Sequence, residues 1–170
     1  MKRSNPKILI AGVGNELKQD DAFGILMVRE LLETTNPHEF IKFQEVGIGG
    51  IHLVQELHEK YDILVILDAV NWGGEPGQIY FRSTTTADLK DMPKDEQRAF
   101  LADMHYTNPV RAMMLAKALN VLPNEVFILG CEAKNHSDFD MGISEEVKIA
   151  IPLGINKLRS WLSSYNYSLN

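Results

Sequence analysis

The chain has 170 residues, is 45% hydrophobic and carries a formal net charge of -6, which is enough apolar sequence to bury a core without metals or disulfides as staples. An acidic balance with no basic block argues against a nucleic-acid or anionic-membrane surface, and no segment reaches the roughly 20 consecutive apolar residues of a membrane span. The lone Cys131 excludes an internal disulfide and suits a reducing compartment, so a cytoplasmic protein is expected.

Lys2, Arg3 and Lys7 precede an apolar run too short for a signal peptide. Ile8, Leu9, Ile10 and Ala11 are apolar on both parities, which predicts a parallel strand covered on both faces. The small-residue turn Gly12-Val13-Gly14-Asn15 follows, and a helix starting near Asp21 is predicted from Gly24, Met27, Val28 and Leu31, ending before Asn36-Pro37. Residues 40–46 read as a second strand. Gly47-Ile48-Gly49-Gly50 then leads into a helix with Leu53, Val54, Leu57 and Tyr61 on one side. Residues 63–67 are the most hydrophobic strand in the chain and end on Asp68.

Gly73-Gly74-Glu75-Pro76-Gly77 is dense turn chemistry, and residues 78–82 behind it read as an edge strand. Residues 83–94 are polar and predict a surface loop. Asn108-Pro109 supplies an N-cap and a first-turn proline for a helix over Val110, Met113, Met114 and Ala118. Residues 126–129 form a last buried strand ending at Gly130-Cys131-Glu132. Ser144, followed by Glu145 and Glu146, opens a final helix whose stripe is Val147, Ile151, Ile155, Leu158 and Leu162. Pro152 in its path either bends that helix or marks its true start. The order βαβαββαβα predicts an α/β fold: a three-layer, mostly parallel twisted sheet of about five strands, helices on both faces and one antiparallel edge strand. No linker divides it, so one domain over residues 1–170 is expected.

Ligands of open α/β sheets bind at the carboxyl edge. If the first and third strands are neighbours, Asp21 and Asp68 face one crevice there. His105, three residues before Asn108, lies on a loop that returns to one edge or the other, and only the carboxyl edge would complete the site. Two carboxylates and an imidazole can hold nickel or zinc with positions left open. Plainer roles compete: one of Asp20 and Asp21 can be a helix N-cap, and a single loop histidine can be structural. Asp68 is harder to dismiss, because a carboxylate after five apolar residues is costly when buried unpaired.

Gly12-Val13-Gly14-Asn15, then Leu17 and Asp20-Asp21-x-x-Gly24, resembles the N-terminal signature of the hydrogenase maturation peptidases. These endopeptidases trim the large subunit of nickel–iron hydrogenases. Gly47-Ile48-Gly49-Gly50, Leu67-Asp68-Ala69, His105 ahead of a helix and Gly142-Ile143-Ser144 follow in the family's order, so the resemblance covers essentially the whole chain. It implies that Asp21, Asp68 and His105 are the metal-contacting and catalytic groups, with Asp20 a cap or loop anchor. It also implies a substrate: the precursor of a large subunit, already loaded with nickel and carrying a C-terminal extension. The nickel would be supplied by the substrate, with zinc or cadmium able to substitute in vitro. A monomer in transient complex with the precursor, and no nucleic-acid or membrane partner, is the matching expectation.

On this reading Gly12 and Gly14 give room for a polypeptide, and Gly14, Asn15, Gly49 and Gly50 contact substrate. Asn15 as a local Asx turn, and the second glycine cluster as a tight connection, are the alternatives. A dinucleotide site is rejected because Leu17 stands where the fingerprint wants Gly or Ala. Cys131 as a nucleophile with His105 as base is disfavoured against a buried strand-end side chain. Glu132 is a supporting candidate at the sheet edge or a solvated strand terminus. His52 and His58, six apart, share no helix face, and His136, Asp138 and Asp140 read as a polar surface loop. Trp72 and Tyr106 either wall a peptide cleft or cover core. The competing function is a non-cleaving, nickel-sensing chaperone for the same precursor, with another hydrolase on a related scaffold behind it.

Overall fold

The computed structural model describes residues 5–102, 108–136 and 139–169. Five strands are formed by Ile8–Val13 (β1), Ile41–Gly47 (β2), Ile63–Val70 (β3), Ile79–Ser83 (β4) and Glu125–Glu132 (β5). They make one sheet in the order β2-β1-β3-β5-β4. β1 pairs in parallel with β2 and β3, and β3 in parallel with β5; β4 is antiparallel to β5 at the edge. The helices are Phe23–Thr34 (α1), Gly50–Leu57 (α2), Lys94–Ala102 (α3), Pro109–Ala118 (α4) and Glu145–Ser163 (α5).

Both faces of the sheet are dry because its central strands are apolar on both parities. Ile8, Ile10, Ile63, Val65 and Leu67 face the layer of α1 and α5. Leu9, Ala11, Val13, Leu64 and Ile66 face that of α2 and α4. The expected architecture therefore stands, with differences that have local causes. α3 lies where the sequence gives a polar run; it buries only Phe100, too little apolar periodicity to read as a helix. Tyr61 is buried but sits past the end of α2. β3 and β5 run beyond their apolar stretches because their parallel pairing persists from Ile63 with Glu125 to Val70 with Glu132. Pro152 neither starts nor interrupts α5; it occupies an exposed position inside a helix capped by Ser144, whose hydroxyl accepts from Val147 N–H at 3.4 Å.

Neither Asp20 nor Asp21 caps α1. Both fall in a 3-10 turn, Gln19–Ala22, and the cap position of α1 is Ala22 with no side-chain hydrogen bond. Two glycines set how this turn meets the sheet. A Cβ on Gly24 would stand 2.0 Å from the Leu67 carbonyl oxygen and 2.5 Å from that of Val13. One on Gly12 would stand 2.3 Å from the Gly24 carbonyl oxygen. Gly12 thus admits the protein's own α1 backbone, not a substrate. This backbone-on-backbone contact seats the start of α1 against the ends of β1 and β3, so Asp21 comes to rest beside Asp68.

Because backbone atoms cannot step aside as a flexible side chain can, Gly24→Ala is expected to destabilise the fold by about 2 kcal/mol or more. Urea unfolding checks this; a midpoint equal to that of the parent would show that α1 can retreat at no cost.

Candidate active site

The loop after β1 is held from several directions. Gly14, at φ +131, donates its N–H to the Gly47 carbonyl at 3.1 Å, and a Cβ there would lie 1.9 Å from the Asp21 carbonyl oxygen. That φ belongs to glycine, so Gly14 serves the turn itself. Asn15 Oδ1 accepts from Leu17 N–H at 2.9 Å, the local Asx turn, while Asn15 N–H donates to Asp21 Oδ2 at 2.9 Å. Arg29 on α1 ties the loop down by pairing with Glu16 at 2.5 and 2.9 Å and with Glu45 of β2 at 2.6 and 2.8 Å.

Asp21 and Asp68 stand together at the carboxyl edge, as the pairing of β1 with β3 requires. Burial pushes the Asp68 carboxyl up to about 8, the negative charge of Asp21 pushes the same way, and the Ala69 N–H only partly opposes them. Burial also raises Asp21, against the Asn15 N–H and the nearby charges of Lys18 and His136. At neutral pH the proton of the pair therefore rests on Asp68. Two carboxylates whose proton affinities are both raised by burial, side by side in a partly dry site, suit a divalent cation, which would replace the proton.

They line a cleft of about 580 Å³ together with Gly14 and Asn15. Its walls carry Ile48, Trp72, Val110 and Phe139, four large apolar side chains exposed by 53%, 43%, 49% and 76%. Trp72 is thus a cleft wall, with Arg82 stacked 4.8 Å over its ring. Ile48, Val110 and Phe139 were not singled out from sequence as cleft residues. Ile48 did carry a signal, since an apolar residue between glycines in a turn has no core face to join.

Two further carboxylates at this edge are fully spent on structure. Asp20 is 0% exposed and accepts from Lys134 N–H at 2.9 Å, Asn135 N–H at 2.8 Å, Ser144 N–H at 2.7 Å and the Ser144 hydroxyl at 3.0 Å. It clamps the loop between β5 and α5 onto the turn before α1. Glu132 is 2% exposed, so it is no solvated strand terminus. It accepts from the N–H groups of Trp72 and Gly73 and from the Tyr80 hydroxyl, all at 3.0 to 3.1 Å. Burial raises its carboxyl, but these donors outweigh that and hold it below the usual range. Cys131 is buried, and burial with the charges of Asp20 and Glu132 pushes its thiol up to about 12. A thiol so hard to ionise is no nucleophile.

His105, Tyr106 and Asp138 lie outside the described residues. Gly49 and Gly50 do not line the cleft; Gly49 N–H bonds the Val46 carbonyl at 3.2 Å and Gly50 opens α2, which is the tight-connection alternative. His52 meets Gln55 and His58 the Val54 carbonyl, so they form no pair. His136 stands near Asp21, and Asp140 is tied by its backbone to Lys18 and Gln19. Among the described residues, no group of three or more His, Cys, Asp or Glu is arranged to hold a metal by itself.

Comparison with known proteins agrees with this architecture. The family model described as hydrogenase maturation protease matches residues 25–161, a span that includes Asp68 and begins after Asp21. The hydrogenase expression/formation protein HupD of Thiocapsa roseopersicina is 28% identical over 167 residues, covering 96% of this chain and 71% of that protein. HupM of Azotobacter chroococcum is 30% identical over 152 residues, covering 87% and 68%. Among solved structures, the hydrogenase maturating endopeptidase HybD from E. coli superposes with a TM-score of 0.74 at 18% identity, covering 96% of each chain. That likeness extends to the mostly parallel five-stranded sheet and its flanking helices.

The state of Asp68 gives stability a definite pH dependence. Between its ordinary 3.8 and its folded value of about 8, the native protein keeps a proton that the unfolded chain has lost, so stability falls as pH rises through that window. Asp68→Asn is expected to stabilise the protein by at least about 1 kcal/mol more at about pH 9 than at about pH 4. Thermal and urea unfolding at the two pH values measure it, and equal stabilisation at both would show that Asp68 ionises normally. Asp20→Ala strands four donors and is expected to cost about 3 kcal/mol, read from the same unfolding curves; a loss below about 1 kcal/mol would mean that water satisfies them.

Proposed function

Because this chain belongs to the hydrogenase maturation protease family, and is an endopeptidase of hydrogenase maturation, we propose that it removes the C-terminal extension of a nickel-loaded large-subunit precursor of a nickel–iron hydrogenase. The observation that carries this reading is the Asp21–Asp68 pair. Among the described residues, Asp21 accepts one hydrogen bond from Asn15 N–H and Asp68 one from Ala69 N–H. A carboxylate offers about four acceptor sites, so both retain capacity for a ligand. The cation they suit arrives with the substrate, as nickel held by the precursor's own ligands.

In this proposal Asp21, Asp68 and His105 engage the nickel of the precursor and thereby fix where the scissile amide lies. Asp68 gives up its proton as the cationic centre of the substrate approaches, which removes the like-charge repulsion within the pair. The peptide follows the cleft, where Ile48, Trp72, Val110 and Phe139 cover its apolar side chains. Water adds to the scissile carbonyl, its proton passes by way of this carboxylate cluster to the departing amine, and the C–N bond breaks. Specificity would then come from the metal: a precursor without nickel lacks the group that the carboxylates recognise.

Incubation with nickel-loaded and nickel-free precursor, followed by mass spectrometry of the large subunit, tests this. Loss of the extension is expected from the loaded form alone. Asp21→Asn and Asp68→Asn are each expected to slow processing by about a hundredfold or more. Binding of loaded precursor without loss of mass would favour the chaperone role, and undiminished processing by either variant would remove that carboxylate from the site.

A further inference from the structure

A second recess of about 280 Å³ adjoins the cleft, sharing Lys18, Asp21, Asn71 and the end of β3 with it and adding Ala133 and His136. His136 Nε2 lies 3.4 Å from Asn71 Nδ2, and the imidazole is close enough to Asp21 to interact with its charge. Both side chains are exposed, so they remain available to a ligand.

Their placement is held rigidly from behind. Asp20 grips the backbone N–H groups of Lys134 and Asn135, the two residues before His136. Glu132 grips those of Trp72 and Gly73, the two residues after Asn71. Ala133 N–H closes the gap by donating to the Val70 carbonyl at 2.9 Å. Two buried carboxylates thus fix the two backbones that carry one exposed polar pair, beside the carboxylates of the proposed site. Preorganisation of this kind lowers the ordering cost of binding.

From this geometry we propose that His136 and Asn71 form a polar subsite that hydrogen-bonds the main chain of the substrate polypeptide on the Asp21 side of the cleft. When the imidazole is neutral and Nε2 accepts from Asn71 Nδ2, its remaining proton sits on Nδ1. The pair then presents a donor at His136 Nδ1 and an acceptor at Asn71 Oδ1. An extended peptide offers the complement, since the N–H and C=O of one residue project toward the same side of the strand. His136 and Asn71 bind and align the chain, while the chemistry stays with the groups proposed above, on which this inference rests.

The test measures cleavage kinetics and equilibrium binding of nickel-loaded large-subunit precursor for wild type, His136→Ala, His136→Gln and Asn71→Ala. His136→Ala and Asn71→Ala are each expected to raise KM and Kd about threefold to tenfold, the loss of one hydrogen bond, with kcat unchanged. His136→Gln, which keeps a donor and an acceptor, is expected to recover most of that loss. Unchanged KM and Kd in His136→Ala would overturn the subsite, as would a fall in kcat exceeding the rise in KM. Wild type that binds but does not cut sinks the peptidase function alone, because the binding constants still decide the role of His136. Wild type that neither binds nor cuts overturns both.

Discussion

A carboxylate taken out of water must find donors, a cation or a proton, and this fold brings four of them to one edge of its sheet. The solutions divide cleanly. Asp20 and Glu132 are surrounded by backbone N–H groups and hydroxyls until their acceptor capacity is used, so they act as permanent fasteners. Among the described residues Asp21 and Asp68 are left short of donors, and burial raises the proton affinity of both, Asp68 to about 8. Spent carboxylates build the edge, and unspent ones face the cleft. An endopeptidase whose proposed substrate carries its own nickel has use for such a deficit, because the arriving cation is what relieves it.

The arrangement depends on a contact that contains no side chain. Gly12 and Gly24 let the backbone of α1 meet β1 and β3 at a distance no other residue permits. Asp21 is thereby set at the end of β1, next to the strand that carries Asp68. With the β1 loop fixed by Arg29 and the β5–α5 loop by Asp20, the cleft walls rise from anchored backbone. The apolar side chains on those walls, Trp72 and Phe139 among them, remain exposed while the core residues of both faces are covered.

Much of this was legible in the chain. A run apolar on both parities read β1 as a parallel strand covered on both faces, the most hydrophobic run read as β3, and the caps Asn108 and Ser144 placed the starts of α4 and α5 correctly. Helix α3 escaped because it packs through Phe100 alone, which leaves no periodic trace. Pro152 sits at an exposed position inside α5, well past its Ser144 cap, so of the two roles read from sequence it does not mark the helix start. The glycines of the first turn were recognised as important, yet their physical task is internal: Gly12 receives Gly24, and Gly14 adopts the turn's positive φ.

What the sequence determined by itself was the fold class, the family resemblance and the edge of the sheet at which to look, because periodicity and local motifs are properties of neighbours along the chain. Composition and spacing could not separate Asp20 from Asp21, which differ by one position and not at all in chemistry; only the family resemblance assigned them different roles. That choice belongs to residues more than a hundred positions away: Lys134, Asn135 and Ser144 converge on Asp20 and leave Asp21 open. Likewise Glu132 becomes a buried anchor, and His136 comes to stand beside Asp21, only when β3 and β5 pair and bring their loops together. Hydrogen-bond saturation is decided by tertiary contacts, and here it distinguishes a fastener from a candidate ligand.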